Sequence, residues 1–173
     1  MGQGLTGKNP VRVLFVCMGN ICRSPTAEAV FKHHLVKSGL AREVYADSAG
    51  THDYHVGDPP DARAQEAARK RGYDMNALRG RLVTYEDLME FDYVLAMDEI
   101  NLQHLRRNCL SEHRNKLRLL TEFSDKFSGS EIPDPYYGGP RGFDTVLDMI
   151  EGSVQGLIAQ LKKDAGRSPE QPG

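Results

Sequence analysis

The chain reads as an α/β protein, a single domain with helices on both faces of a parallel sheet. Three observations lead there. Short runs rich in β-branched and aromatic residues alternate with longer segments of helical periodicity, the pattern of strand–helix–strand crossovers. The length, 173 residues, suits one hydrophobic core, and no linker, repeat or second apolar cluster interrupts the pattern. Polar residues gather just after each apolar run, where a parallel sheet presents its ligand-binding edge.

The elements follow in order. VRVLFV (11–16) is the first strand. Ala27, Val30, Phe31 and Leu35 then fall on one face of a helix, with Ser24 expected as its N-cap, Pro25 in its first turn and Gly39 at its end. EVYADSAG (43–50) is a second strand with a turn, followed by a loop rich in Gly, Pro and Asp, and DARAQEAARKRG (61–72) is helical. DYVLAM (92–97) is a third strand leading into a helix around Glu99 to Arg107, and KLRLL (116–120) is a fourth. Phe143, Val146, Leu147, Ile150, Val154, Leu157, Ile158 and Leu161 mark the longest amphipathic helix. Residues 1–10 are expected to be a flexible extension, 11–163 the folded domain and 164–173 a disordered tail.

Composition narrows the function. The chain is 39% hydrophobic and 27% charged with a net charge of −2, and no basic run suggests nucleic acid as a partner. Three cysteines do not form a disulfide scaffold, which points to reduced thiols and a cytoplasmic setting. No apolar run is long enough to span a bilayer, and the first nine residues lack a signal-peptide core. Gly2 to Lys8 nearly copies a nucleotide-binding P-loop, but Asn9 stands where Ser or Thr is required and the segment precedes a strand. Met1, Gly2 and Thr6 fit a myristoylation pattern that matters only where the enzyme exists.

The chemistry concentrates in VCMGNICRSP (16–25). A thiol is nucleophilic as the thiolate, and a loop that opens a helix surrounds Cys17 with backbone N–H groups that favour an anion. The same loop N–H groups suit a tetrahedral oxyanion, and the guanidinium fork of Arg23 can hold two of its oxygens. Ser24 can hydrogen-bond the sulfur, and Asn20 tolerates the left-handed backbone such a cradle needs. EIPDPYYGG (131–139) offers Asp134 between two prolines as a proton donor for a departing oxygen, with Tyr136 and Tyr137 as flat walls for an aromatic ring.

Cys17, Arg23 and Ser24 near the start, together with DSAGT (47–51), FDYVLAMDEINL (91–102) and DPYYGG (134–139), resemble the low-molecular-weight protein tyrosine phosphatases over roughly residues 11 to 162. The resemblance implies a four-stranded parallel sheet and a cysteinyl-phosphate intermediate at Cys17. It also implies phosphate binding by Arg23 and the Met18–Cys22 loop, and Asp134 as general acid and base. Asn20, Ser24 and Ser48 become loop-holding groups, and Tyr54, Tyr136 and Tyr137 the rim of the cleft. No metal or cofactor is implied. The implied partner is a phosphotyrosine protein, a tyrosine kinase among the candidates, with inorganic phosphate as product. The family often carries His-x-x-Arg where this chain has Leu78 to Arg81, so a hydrogen-bond network centred on that His is not expected here.

Other readings stay beside this one. Cys22 either packs or pairs with Cys17 in a disulfide that shelters the nucleophile; Cys109 is read as structural. His33, His34, His52 and His55 are read as surface or rim residues, and Asp98 as a helix cap or loop-holding group. An arsenate reductase would need two downstream cysteines where only Cys109 lies, and arginine phosphatases usually carry Thr at the position of Ile21. A silent phosphate-binding module would predict loss of the nucleophile or the acid.

Overall fold

The computed structural model describes residues 9–135 and 139–166. Among these, four parallel strands form one sheet in the order β2-β1-β3-β4: β1 (Val11–Cys17), β2 (Val44–Gly50), β3 (Tyr93–Ala96) and β4 (Leu117–Leu119). The helices are α1 (Arg23–Lys37), α2 (Ala62–Lys70), α3 (Tyr85–Glu90), α4 (Glu99–Arg107) and α5 (Pro140–Asp164), with 3-10 turns at Ser111–Lys116 and Leu120–Phe123. The four expected strands and the expected helices are all present. The expected extension over 1–8 and the tail beyond Gly166 lie outside the described residues.

β1 is buried from Val13 to Cys17, because both faces of a parallel sheet are covered. Its alternation sorts the faces. Val13, Phe15 and Cys17 join α1, α2 and α5 in one core, while Leu14 and Val16 join α3 and α4 in the other. Period 2 therefore aims the Cys17 side chain toward α1. Phe15 meets Phe31 of α1 edge-on at 5.3 Å, a contact that fixes the helix against the strand.

The strand order also decides where the site lies. The chain leaves β1 toward β2 on one side and returns to β3 on the other, so the carboxyl end of β1 is the switch point of the sheet. The ladder continues past that end: Cys17 and Met18 carbonyls accept the Thr51 and His52 N–H groups at 2.9 and 3.0 Å.

Two local expectations are corrected. The N-cap of α1 is Cys22, with no side-chain cap, because the Ser24 hydroxyl is turned toward the Cys17 sulfur. α3 has no counterpart among the expected elements, although its entry carries a full capping box between Thr84 and Asp87. The helix exit of α1 is as expected: Gly39 follows the C-cap at φ 73°, a conformation open to glycine.

Candidate active site

The loop between β1 and α1 turns through Asn20, which sits in the left-handed region at φ 57°. Its side chain holds the turn from inside. The Arg81 backbone N–H donates to Asn20 Oδ1 at 2.9 Å, which fixes the amide so that Nδ2 faces Ser24 Oγ at 2.8 Å and Ser48 Oγ at 3.0 Å. Ser48 in turn gives its proton to Glu28 Oε1 at 2.7 Å. One lone pair of Ser24 Oγ is taken by Asn20, leaving its proton for the Cys17 sulfur at 3.0 Å or the Ala49 carbonyl at 3.5 Å. The longer contact is a poor hydrogen bond, and a proton directed at sulfur is the arrangement that suits a Cys17 thiolate. The Ser24 N–H adds a second approach to Sγ at 3.4 Å.

Arg23 is nearly buried, with 4% of its side chain exposed. Its Nη1 donates to Asp98 Oδ2 at 2.7 Å and to the Ile132 carbonyl at 3.0 Å. Both contacts leave from one nitrogen, so Nε and Nη2 keep the planar fork that suits a tetrahedral oxyanion. Burial works against the charge. Cys17, Asp98 and Asp134 outweigh it, and the guanidinium pKa lies above its ordinary value. Asp98 has a second task at Oδ1, capping α4 through the Asn101 N–H at 2.8 Å, as the reading of Asp98 as a cap anticipated.

A cleft of about 190 Å³ opens over this loop, lined by Cys17, Met18, Gly19, Ile21, Cys22, Arg23, Tyr54, His55 and Asp134. Met18, Gly19, Ile21, Cys22 and Arg23 of the expected phosphate-binding residues, the expected acid Asp134 and one expected rim aromatic, Tyr54, thus line one cleft. Asn20, Ser24 and Ser48 are buried behind the loop, where they support it. Tyr136 and Tyr137 lie outside the described residues. Tyr54 is 67% exposed and stacks on His52 at 5.2 Å, which in turn meets His104 of α4 at 5.5 Å. Cys17, Cys22 and Cys109 are free thiols. Cys22 is held as the neutral thiol: burial first, then the charges of Asp61, Cys17 and Asp134, push its pKa up to about 12. Among the described residues, no group of three or more His, Cys, Asp or Glu could hold a metal ion.

Several contributors were not legible beforehand. Glu28 is buried and closes the Asn20–Ser48 chain, with Lys32 on its other oxygen. Arg81 clamps Asp47 and Asp87 with its guanidinium while its backbone orients Asn20. His55, by contrast, is one of the expected surface or rim residues, and it lines the cleft. Leu78, at the position where a His is frequent, packs against the core instead, and the network ends on Glu28.

A thiol at the carboxyl end of β1, seated in an amide-rich loop with a buried arginine, defines an α/β protein with a cysteine-centred oxyanion site. The model of the family described as low molecular weight phosphotyrosine protein phosphatase matches residues 12–167, and the chain belongs to that family. A Bacillus subtilis relative, the low molecular weight protein-tyrosine-phosphatase YfkJ, is 38% identical over 154 residues, covering 89% of this chain and 97% of that one. A crystal structure of a protein tyrosine phosphatase from Entamoeba histolytica, with Hepes in its active site, aligns with a TM-score of 0.86 at 39% identity, covering 90% of this chain and 99% of that one. A Drosophila arginine phosphatase aligns with a TM-score of 0.79 at 35% identity over 88% and 98% of the two chains. No helix among the described residues is long and apolar enough to cross a membrane.

Proposed function

We propose that the protein hydrolyses phosphotyrosine in protein substrates by two displacements at phosphorus. The observation that carries this is the convergence of Cys17, Arg23 and Asp134 on one cleft above the loop that opens α1. In the first step the Cys17 sulfur forms a bond to phosphorus as the bond to the tyrosyl oxygen breaks, and Asp134 gives that oxygen its proton. In the second, Asp134 takes a proton from water, the water oxygen bonds to phosphorus, and the sulfur leaves with its electron pair. Loop amides and the Arg23 fork hold the phosphoryl oxygens throughout. The Ser24 hydroxyl donates to the sulfur, which stabilises the thiolate before attack and again on departure. Inorganic phosphate is the product, and the reaction calls on no metal or cofactor.

Residues 11–163 form the catalytic unit in this reading, with 1–10 and 164–173 flanking it. Free cysteines support a reducing, cytoplasmic setting. Tyrosine kinases are one class of phosphotyrosine protein that such a site would accept. Ile21 favours phosphotyrosine over phosphoarginine, and the structural likeness to an arginine phosphatase makes the comparison worth testing directly.

The test is phosphate release from a phosphotyrosine peptide and a phosphoarginine protein in parallel. Turnover of phosphotyrosine is expected, abolished by Cys17→Ser and lowered about 10²-fold or more by Asp134→Ala. Preference for phosphoarginine would overturn the substrate and keep the mechanism; turnover of neither would overturn both.

A further inference from the structure

The segment that delivers Asp134 is fixed residue by residue to the part of the protein that holds Arg23. The Ser130 carbonyl accepts the Thr121 hydroxyl. Glu131 reaches across with Oε2 to accept the backbone N–H of Glu99, the first residue of α4, at 2.8 Å. Ile132, fully buried, gives its N–H to the Met97 carbonyl at 2.9 Å and receives Arg23 Nη1 on its own carbonyl at 3.0 Å. Beyond it, Pro133 and Pro135 lock their own φ angles and exclude the α region for Ile132 and Asp134, so the backbone from 131 to 135 has little freedom left.

These contacts close a ring. Arg23 bonds Asp98, whose neighbour Glu99 bonds Glu131, whose neighbour Ile132 bonds Arg23 again. The bond from Glu131 is the one side-chain link from the acid-bearing segment to α4 in that ring, and it is made at an exposed position by a carboxylate on an otherwise unsatisfied first-turn N–H.

We propose that Glu131 is a positioning residue for proton transfer: its carboxylate sets the entry of the Asp134 segment and so the placement of the Asp134 carboxyl over the leaving oxygen. The proposal rests on the reading of Asp134 as the proton donor. Glu131 itself touches neither the substrate nor the reacting atoms.

The experiment compares native protein, Glu131→Ala, Glu131→Gln and Asp134→Asn on a series of aryl phosphates. The leaving phenols run from acidic nitrophenols to phenols that titrate near about 10, as tyrosine does. Proton donation matters most for the least acidic phenols, so kcat/KM plotted against leaving-group pKa reads it directly. Full general-acid catalysis is worth about 10²–10⁴-fold, and Glu131→Ala is expected to lose about tenfold on phenyl phosphate but under about threefold on p-nitrophenyl phosphate, steepening the plot. Glu131→Gln, which keeps an acceptor for the Glu99 N–H, is expected to restore most of the native slope. An equal loss across the series in Glu131→Ala, or a slope unchanged from native, would overturn the proposal while a steep slope in Asp134→Asn left the assignment of Asp134 standing. A native slope in Asp134→Asn would instead overturn that assignment, and the role of Glu131 with it.

Discussion

The neutral state of Cys22 shapes what the two thiols near the cleft do. Both line the same cleft, yet Cys22 is pushed up to about 12 by burial and by the nearby Asp61, Cys17 and Asp134 charges. A thiol raised in this way stays protonated through neutral pH and ionises only as the solution approaches that value, and the thiolate is the reactive form. Brief treatment of the native protein with iodoacetamide at pH 8 is therefore expected to leave Cys22 unmodified. In Cys17→Ser, peptide mapping should find no fast adduct at residue 22. Rapid alkylation there would show that the surroundings of Cys22 do not hold the proton. The sequence marked Cys17, Arg23 and Ser24 correctly as neighbours, because the five-residue loop between β1 and α1 leaves them nowhere else to go. It could not show that Ser24 Oγ sits between the sulfur and the Asn20 amide, since that arrangement depends on Asn20 and, through it, on Arg81 sixty-one positions away.

Among the elements, α5 shows how tightly the scaffold under the site is fitted. A Cβ on Gly156 would lie 1.6 Å from the Phe123 carbonyl oxygen, so the helix can approach the Leu120–Phe123 turn only through a glycine. A Cβ on Gly152, one turn earlier, would make ordinary contacts of 3.4 to 3.7 Å with Ser124 and Phe127. Gly156→Ala is expected to cost about 3 kcal/mol or more, the upper end of overpacking. Gly152→Ala is expected to be neutral or to stabilise by up to about 1 kcal/mol through helix propensity. Denaturant unfolding of the two variants checks both; similar midpoints would mean that α5 can shift without cost. The periodicity of α5 was plain in the sequence because eight apolar residues repeat at helical spacing. The short α3 was not: six residues are too few for a period to show, although Thr84 and Asp87 stand at capping-box spacing.

For the whole molecule, oxyanion binding and stability are linked. The cleft proposed to bind phosphate joins the end of β1, the start of α1, the cap of α4 through Asp98 and the 130–135 segment through Ile132, so an oxyanion bound there would contact parts that only the native fold brings together. A ligand present at a hundred times its dissociation constant stabilises the native state by about 2.7 kcal/mol. Inorganic phosphate is expected to raise the melting temperature by several degrees, and Arg23→Ala to abolish the rise. A rise that survives in Arg23→Ala would place the phosphate elsewhere.

By itself the sequence determined the strand–helix alternation, the Cys17–Arg23 loop at the end of β1 and the proline-bracketed Asp134, because each is written in local spacing. Tertiary structure alone decided what supports them. The pairs Glu28–Ser48, Glu131–Glu99, Asn20–Arg81 and Arg23–Asp98 are 20, 32, 61 and 75 residues apart. No periodicity or motif links such positions. They meet because the parallel register carries the ends of β1, β2 and β3 to one edge of the sheet, where the buried Asn20, Arg23, Glu28 and Ser48 must find partners among whatever neighbouring segments deliver, while the exposed Glu131 takes a first-turn N–H of α4.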